Sequence, residues 1–150
     1  MNDNTVRIRN KKAFFNYEIL DKYIAGIQLY GTEVKSIRAS KVSFTDAYCL
    51  FINGELWLRG IHISEYAFGS YNNHVPKRDR KLLLNKKELD KIRKKTTEKS
   101  LTIVPLSMFF SQSGFVKVEI AVARGKKQYD KRESLKQKDS KRDLDRAMKY

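Results

Sequence analysis

Cationic side chains that can bind phosphate groups are concentrated in two segments of the 150-residue sequence. Residues 77–99 carry eleven Lys and Arg against four Asp and Glu, and residues 125–150 carry ten against five. The first segment opens with four cations followed by three leucines, and the fork of an arginine matches two phosphate oxygens. We predict that Arg78, Arg80 and Lys81 clamp phosphates. The plainer alternative is a loop that leads into a helix and keeps its cations in water.

The remaining reactive side chains do not support catalysis. The histidines His62 and His74 and the single cysteine Cys49 have no carboxylate pattern around them that would complete a zinc site. We interpret His62 as a structural residue of a strand and Cys49 as a buried thiol. The sequence contains neither a glycine-rich phosphate loop nor a nucleophile elbow. We therefore expect no enzyme activity, no metal and no cofactor.

The composition indicates one domain with a polyanionic partner. A chain of this length can bury a core of its own. Its formal charge of +15 favours a nucleic acid or a membrane surface as partner over a basic surface with no special role. No apolar run approaches the length of about 18 residues that a membrane span needs, and no leader pattern opens the chain. We expect a soluble, cytoplasmic protein.

Alternating apolar and polar residues predict strands in three regions. Residues 17–30 form the first, and we expect one of its faces to carry Tyr17, Ile19, Tyr23, Ala25, Ile27 and Leu29. A hairpin is predicted around Asn53-Gly54, since both residues tolerate the positive φ of its turn. The last hairpin joins residues 101–110 to residues 115–123 through a turn at Gly114.

Two short helices are predicted between these strands. Thr32 can cap the first, with Val34 and Ile37 facing inward. The second begins with a capping box that runs from Asn85 to Glu88 and buries apolar residues of the following turns.

About six antiparallel strands with few helices predict a mainly β protein, a small OB-like barrel whose closure removes exposed edges. We assign residues 1–124 to this barrel and expect residues 1–9 to be flexible. Residues 125–150 then form a basic tail that has too few apolar side chains to order by itself.

Four segments of the sequence, GTEVKSIRASK, RDRKLLLNKKEL, LTIVPL and GKKQYDKR, together resemble the SsrA-binding protein (SmpB) family. The resemblance runs from about residue 10 to residue 149. Proteins of this family are the partners of transfer-messenger RNA (tmRNA) in bacterial ribosome rescue. The resemblance implies an OB-like barrel that binds the tRNA-like domain of this RNA, and a tail that acts inside the ribosome.

The resemblance also implies which residues of the barrel contact tmRNA. Asn10, with the neighbouring Lys11, and Leu83 match RNA-binding positions of the family. Ile24 stands where relatives carry a glutamate of the same surface, so one polar contact is replaced here. A second departure is Ser40, where glycine is usual after the first helix.

For the tail, the resemblance implies contacts with the decoding centre and the messenger-RNA channel of a stalled small subunit. Gly125 is expected to act as a hinge, Lys126 and Lys127 to meet RNA phosphates, and Tyr129 to stack on a base. On a helical wheel Lys131 falls on one side together with Leu135, Lys138, Arg142, Arg146 and Lys149. We expect the tail to be disordered when free and helical on the ribosome, with Asp130, Lys131 and Arg132 also in contact.

The predicted function is therefore a non-enzymatic RNA-binding adaptor of trans-translation. It would bring tmRNA to the vacant A site, and elongation factor Tu would take part indirectly through alanyl-tmRNA. No membrane partner is expected. Two alternatives remain open: a general single-strand-binding OB protein, and a structural protein of the ribosome.

Overall fold

The protein is described here by a computed structural model that covers residues 6–69, 73–99 and 101–126. Within these residues the chain forms nine strands and three helices. In chain order they are β1 Arg7–Arg9, α1 Lys11–Asn16, β2 Tyr17–Ile27, α2 Gly31–Arg38, β3 Val42–Ser43, β4 Tyr48–Ile52, β5 Glu55–Arg59, β6 His62–Ile63, β7 Arg80–Leu83, α3 Lys86–Lys99, β8 Thr102–Phe110 and β9 Val116–Gly125.

Six of the strands close into an antiparallel ring. The order is β8-β4-β5-β7-β2-β9, and β9 pairs back onto β8. The short β1 pairs with the far end of β8, and β3 with β6 forms a separate two-stranded ribbon. The predicted mainly β fold with a ring-like antiparallel sheet and short helices is confirmed. No helix among the described residues is long and apolar enough to cross a membrane.

Both predicted turns form for the expected reason. Asn53 and Gly54 have φ values of 52° and 80° between β4 and β5, and Gly114 has a φ of 86° between β8 and β9. These values lie in the left-handed region, where asparagine and glycine are the least strained residues.

The start of α3 also agrees with the prediction, whereas the start of α2 does not. Asn85 Oδ1 accepts a hydrogen bond from the backbone N–H of Glu88 at 2.8 Å. Helix α2 begins two residues earlier than expected, with Tyr30 at its N-cap. Thr32 lies inside this helix, and its hydroxyl is 2.9 Å from His74 Nδ1. Thr32 therefore fastens α2 to the loop before β7 and is not the cap.

An irregularity in β2 changes which of its residues face the barrel interior, so the face predicted for this strand is wrong at Ile19. The ladder with β9 shifts between Ile19 and Asp21. From Tyr23 to Ile27 the alternate residues point into the barrel as expected, but Ile19 packs in a second apolar cluster with α1. The bulge reverses which residues face inward, because one extra residue on a strand shifts its period-two pattern.

The apolar residues accordingly form two clusters on opposite sides of the β8–β9 pair. The larger fills the ring and contains Val118, Ile120 and Val122 of β9. The smaller lies under α1, where Ala13 covers Ala121 and Ala123. Strand β9 is thus buried on both faces near its C-terminal end, and α1 closes the barrel on that side.

Two segments have more regular structure than the sequence suggested. Residues 7–9, expected to be flexible, form β1 and pair in register with Ser107, Met108 and Phe109. Residues 80–83, where the sequence predicts no strand, form β7 between β5 and β2. At the other end, β9 extends through Gly125, and the N–H of Lys126 donates to Asn16 O at 2.9 Å.

Candidate nucleic-acid interface

The outer surface of five neighbouring strands carries residues from widely separated parts of the sequence. Backbone pairing places one row across β1-β8-β9-β2-β7, made of Arg7, Phe109, Lys117, Gly26 and Leu83. The adjacent row is made of Arg9, Ser107, Glu119 and Ile24, of which Ser107 is buried. We call these two rows the outer face. It combines cations, an aromatic ring and exposed aliphatic side chains, which is the mixture that RNA-binding surfaces use.

Ile24 and Leu83, predicted from opposite halves of the chain, meet on this face. Both side chains are exposed, to 49% and 44% respectively. Gly26 lies between them, and a Cβ built at Gly26 would be 3.3 Å from the Cβ of Leu83. Because Gly26 has no side chain, the side chain of Leu83 can lie over it. Ile24 therefore lies on the solvent-exposed side of β2.

A shallow groove of about 240 Å³ borders Leu83 on the same side of the barrel. Phe115, which is 70% exposed, and Lys117 line it together with Gly26 and Leu29. An apolar groove edged by a lysine can accept an unstacked base beside a phosphate.

Asn10 and Lys11 lie where β1 turns into α1, and their environments differ. Lys11 is exposed at the first position of the helix. The side chain of Asn10 is only 8% exposed, and its Nδ2 donates to Pro105 O at 2.8 Å. The backbone N–H of Asn10 donates to Leu106 O, also at 2.8 Å. Asn10 thus holds the β1–α1 corner against β8, while Lys11 is free to meet a ligand.

The predicted phosphate clamp at Arg80 is wrong. The Arg80 side chain is fully buried, and it donates to the carboxylate of Glu33, which is also fully buried. Its remaining N–H groups donate to backbone carbonyls, including Ile61 O at 3.2 Å and Pro76 O at 3.0 Å. The odd-numbered neighbours in β7 point outward, so the strand pattern turns Arg80 into the barrel.

Arg78 belongs to the same buried cluster, although it reaches the surface. Its Nη2 lies 2.5 Å from Glu33 Oε1, and its guanidinium stacks 4.4 Å from the centre of the Tyr30 ring. Burial by itself raises the pKa of Glu33, but hydrogen bonds from Arg78 and the Tyr30 N–H and the charge of Arg80 hold this pKa below its ordinary value. Burial lowers the pKa of Arg80, and Glu33 offsets part of that effect.

Lys81 does point outward, two residues before Leu83 on β7. Its Nζ lies 3.1 Å from Glu55 Oε1. The neighbouring Arg59 forms a fork with Asp79, with Nη2 to Oδ2 at 3.0 Å. Most cations of residues 77–81 are therefore already neutralised by carboxylates, and the surface around β7 is less positive than the sequence indicates.

The two histidines and the cysteine, which are the candidate metal ligands and the candidate nucleophile, are part of the barrel structure. His74 is buried, and its Nε2 lies 2.9 Å from Ile63 O. Cys49 is buried, and burial raises the pKa of its thiol. His62 lies in the short strand β6. Across residues 6–69, 73–99 and 101–126 no cluster of histidine, cysteine and carboxylate side chains could hold a metal ion.

Among the predicted tail residues, only Gly125 and Lys126 lie within the described part of the chain. Gly125 pairs with Tyr17 in the β2–β9 ladder. The Nζ of Lys126 donates to Phe14 O at 3.3 Å. The other predicted contacts lie outside the described residues: Lys127, Tyr129, Asp130, Lys131, Arg132, Lys138, Arg142 and Arg146.

Comparison with known proteins matches nearly the whole chain. The SmpB protein family model matches residues 7–150. The chain belongs to the SmpB family. It is 54% identical over 149 residues to an SsrA-binding protein of Bacteroides thetaiotaomicron, an alignment that covers 99% of each chain. It is 55% identical over 141 residues to an SsrA-binding protein of Cytophaga hutchinsonii, which covers 94% of this chain and 92% of the relative.

The fold agrees with this membership of the SmpB family. A chain from a solved structure, described as "tmRNA-SmpB: a journey to the center of the bacterial ribosome", is 49% identical to this one. The two superpose with a TM-score of 0.70, over 82% of this chain and 86% of that chain.

Proposed function

We propose that this chain is an RNA-binding adaptor of trans-translation. Its barrel binds the tRNA-like domain of tmRNA and takes the complex to the vacant A site of a stalled ribosome in the bacterial cytoplasm. Residues 127–150 enter the empty messenger-RNA channel beside the decoding centre. Elongation factor Tu takes part only indirectly, as the carrier of alanyl-tmRNA.

The observation that carries this proposal is the near full-length identity, 54% over 149 residues, to a protein named for binding SsrA RNA. The barrel supports it independently, since Ile24 and Leu83 come together on an outer face that also carries Arg7, Arg9 and Lys117. The adaptor has no need of catalytic groups, because it positions one RNA on another.

The first experiment measures binding of the full chain to an isolated tRNA-like RNA and to an unstructured RNA of the same length. We expect a preference of about tenfold or more for the structured RNA, equivalent to about 1.4 kcal/mol. Equal affinity for the two would instead support a general single-strand-binding protein.

A surface variant tests whether the RNA binds on the outer face. Leu83→Ser should weaken binding to the tRNA-like RNA by about tenfold. Val75→Ser, which alters another exposed apolar side chain outside the two rows, serves as the matched control and should not. Equal behaviour of the two variants would place the RNA elsewhere on the barrel.

A second experiment separates the adaptor from a structural protein of the ribosome. Sedimentation should show the chain on stalled ribosomes in the presence of tmRNA, and not on ribosomes that translate intact messages. Equal association with both populations would support the structural alternative.

A further inference from the structure

Strand β1 carries two arginines that the barrel does not neutralise. Arg7 and Arg9 are both exposed and alternate with Ile8, which packs toward the core. Neither arginine has a carboxylate within ion-pair distance among the described residues. Arg59, Arg78, Arg80, Arg93 and Arg124 each pair with an Asp or Glu, whereas Arg38, which lies outside the two rows, stacks on Phe110.

Each of the two guanidinium groups instead lies against a phenylalanine. The Cζ of Arg7 is 4.5 Å from the centre of the Phe109 ring, and the Cζ of Arg9 is 5.6 Å from that of Phe14. Stacking on an aromatic face fixes the plane of a guanidinium and leaves its N–H edge available to a bidentate acceptor. A cation held in this way loses less freedom when it binds, so its contact with an anion is stronger.

Strand pairing places these arginines at one end of the outer face. Arg7 lies in the row of Phe109, Lys117, Gly26 and Leu83, four interstrand spacings from Leu83. Measured along the curved barrel wall, at about 4.8 Å a spacing, the row is about 19 Å long. A surface of this width can hold unpaired bases or sugars near Leu83 and reach a phosphate backbone at its β1 edge.

We propose that Arg7 and Arg9 form a phosphate-binding site at the β1 edge of the outer face, which grips the backbone of the structured RNA bound beside Ile24 and Leu83. This rests on the proposed function, because it names further contacts to the same RNA. Strand β1 then has a role in recognition as well as in closing the barrel. Glu119, the one carboxylate of the two rows, stands between this site and Ile24 and keeps the phosphate contacts toward the edge.

The test is a salt series of binding of the full chain to an isolated tRNA-like RNA, with the variant Arg7→Gln/Arg9→Gln. Each lost phosphate contact lowers the slope of log affinity against log salt by about 0.7–0.9, so the double variant should lose about 1.6. At 0.15 M salt this corresponds to roughly 20-fold weaker binding.

The matched control is Arg93→Gln/Arg124→Gln, which removes the same charge from two exposed arginines that are already ion-paired. It should change the slope much less. An equal loss in the control would show that only net charge matters and would overturn the site, as would an unchanged slope in the β1 variant.

A third variant, Arg7→Lys/Arg9→Lys, keeps the charge and removes the planar fork. We expect it to retain most of the slope but to bind more weakly than the wild type, and thermal unfolding of each variant checks that β1 remains in place. A wild type that binds both RNAs equally would contradict the proposed function. The slopes of the variants would still decide whether Arg7 and Arg9 meet phosphates.

Discussion

Glu33 is the residue on which the interior polar cluster depends. Its carboxylate is fully buried and accepts hydrogen bonds from Arg78, Arg80 and the Tyr30 backbone N–H. Removal of one partner from a buried pair typically costs about 3–5 kcal/mol, because the other charge remains without compensation. Arg80→Ala would therefore report on folding and not on RNA contact.

The free energy of unfolding should fall at acid pH because of Glu33. The pKa of Glu33 is held below its ordinary value, so its contribution is complete above the ordinary pKa of the unfolded state and is lost as the pH falls toward the folded pKa. Urea unfolding between about pH 3 and pH 7 should show this decline. Glu33→Gln should give a lower and flatter curve. A variant curve parallel to that of the wild type would mean that other carboxylates account for the acid sensitivity.

Ser40 has a backbone conformation that suits glycine. Its φ is 58°, directly after α2. The N–H of Ser40 donates to Ile37 O and that of Lys41 to Ser36 O, both at 2.9 Å, which is the Schellman arrangement of a helix end.

Ser40→Gly should therefore raise the free energy of unfolding by about 1 kcal/mol, since the left-handed conformation strains a residue with a Cβ. Chemical denaturation measures it. The matched control is Ala39→Gly, at a neighbouring residue with a negative φ of −85°, which should be neutral or destabilising. A loss of stability in the Ser40 variant would show that the hydroxyl contributes more than the strain costs.

At the scale of elements, the β1–α1 corner joins the two sides of the barrel wall. Strand β1 lies along the end of β8, and α1 covers the smaller apolar cluster. Asn10 connects the two elements to β8 through its side-chain and backbone N–H groups. The position that the resemblance assigns to RNA binding is thus also a structural position.

Asn10→Asp tests which role dominates. A carboxylate cannot donate to Pro105 O, so the buried acceptor loses its partner, and we expect a loss of about 1–3 kcal/mol. RNA binding should weaken in parallel, because the corner presents Arg9 and Lys11. Thermal unfolding of the free protein measures the first effect. Unchanged stability with weakened RNA binding would mean that Asn10 acts as a direct RNA contact.

For the molecule as a whole, the ring closes within the described residues, where β9 pairs with both β2 and β8. Strand β9 pairs with β2 through Gly125. The next residue, Lys126, is the last described one, and it donates hydrogen bonds to the carbonyl oxygens of Asn16 and Phe14. Among the described residues, the buried apolar side chains that fill the ring lie between Ala25 and Val122. We therefore expect folding and RNA binding to depend on the barrel, and residues 127–150 to serve a separate task.

A chain that ends after Lys126 should keep its melting temperature within about 2 °C, because every core residue of the described part of the chain is retained. It should also keep most of its affinity for the isolated tRNA-like RNA. Tagging of peptides on stalled ribosomes should fail, because nothing can fill the messenger-RNA channel. An in vitro tagging assay decides this, and a truncated chain that tags at the wild-type rate would refute the role of the tail.

Several features follow from the sequence because they depend on neighbouring residues alone. Alternation in β9 places Val116, Val118, Ile120 and Val122 in the core, as the pattern predicts. The Asn53-Gly54 turn and the Asn85 cap are equally local, since each depends on the φ or the side-chain oxygen of one or two residues. Family membership is also readable from the sequence, because motifs spread along the chain occur together.

Other features required the tertiary structure, because distant residues decide them. Arg78, Arg80 and Lys81 carry the same kind of charge in the sequence, and only the position of Glu33, 47 residues before Arg80, makes Arg80 an interior residue. The bulge in β2 turns Ile19 toward α1, which covers it from outside the ring. Arg7 and Leu83 share a face only because three strands pair between theirs. A local pattern fixes which side of a strand a residue occupies, but the partner that meets it there is set by the whole fold.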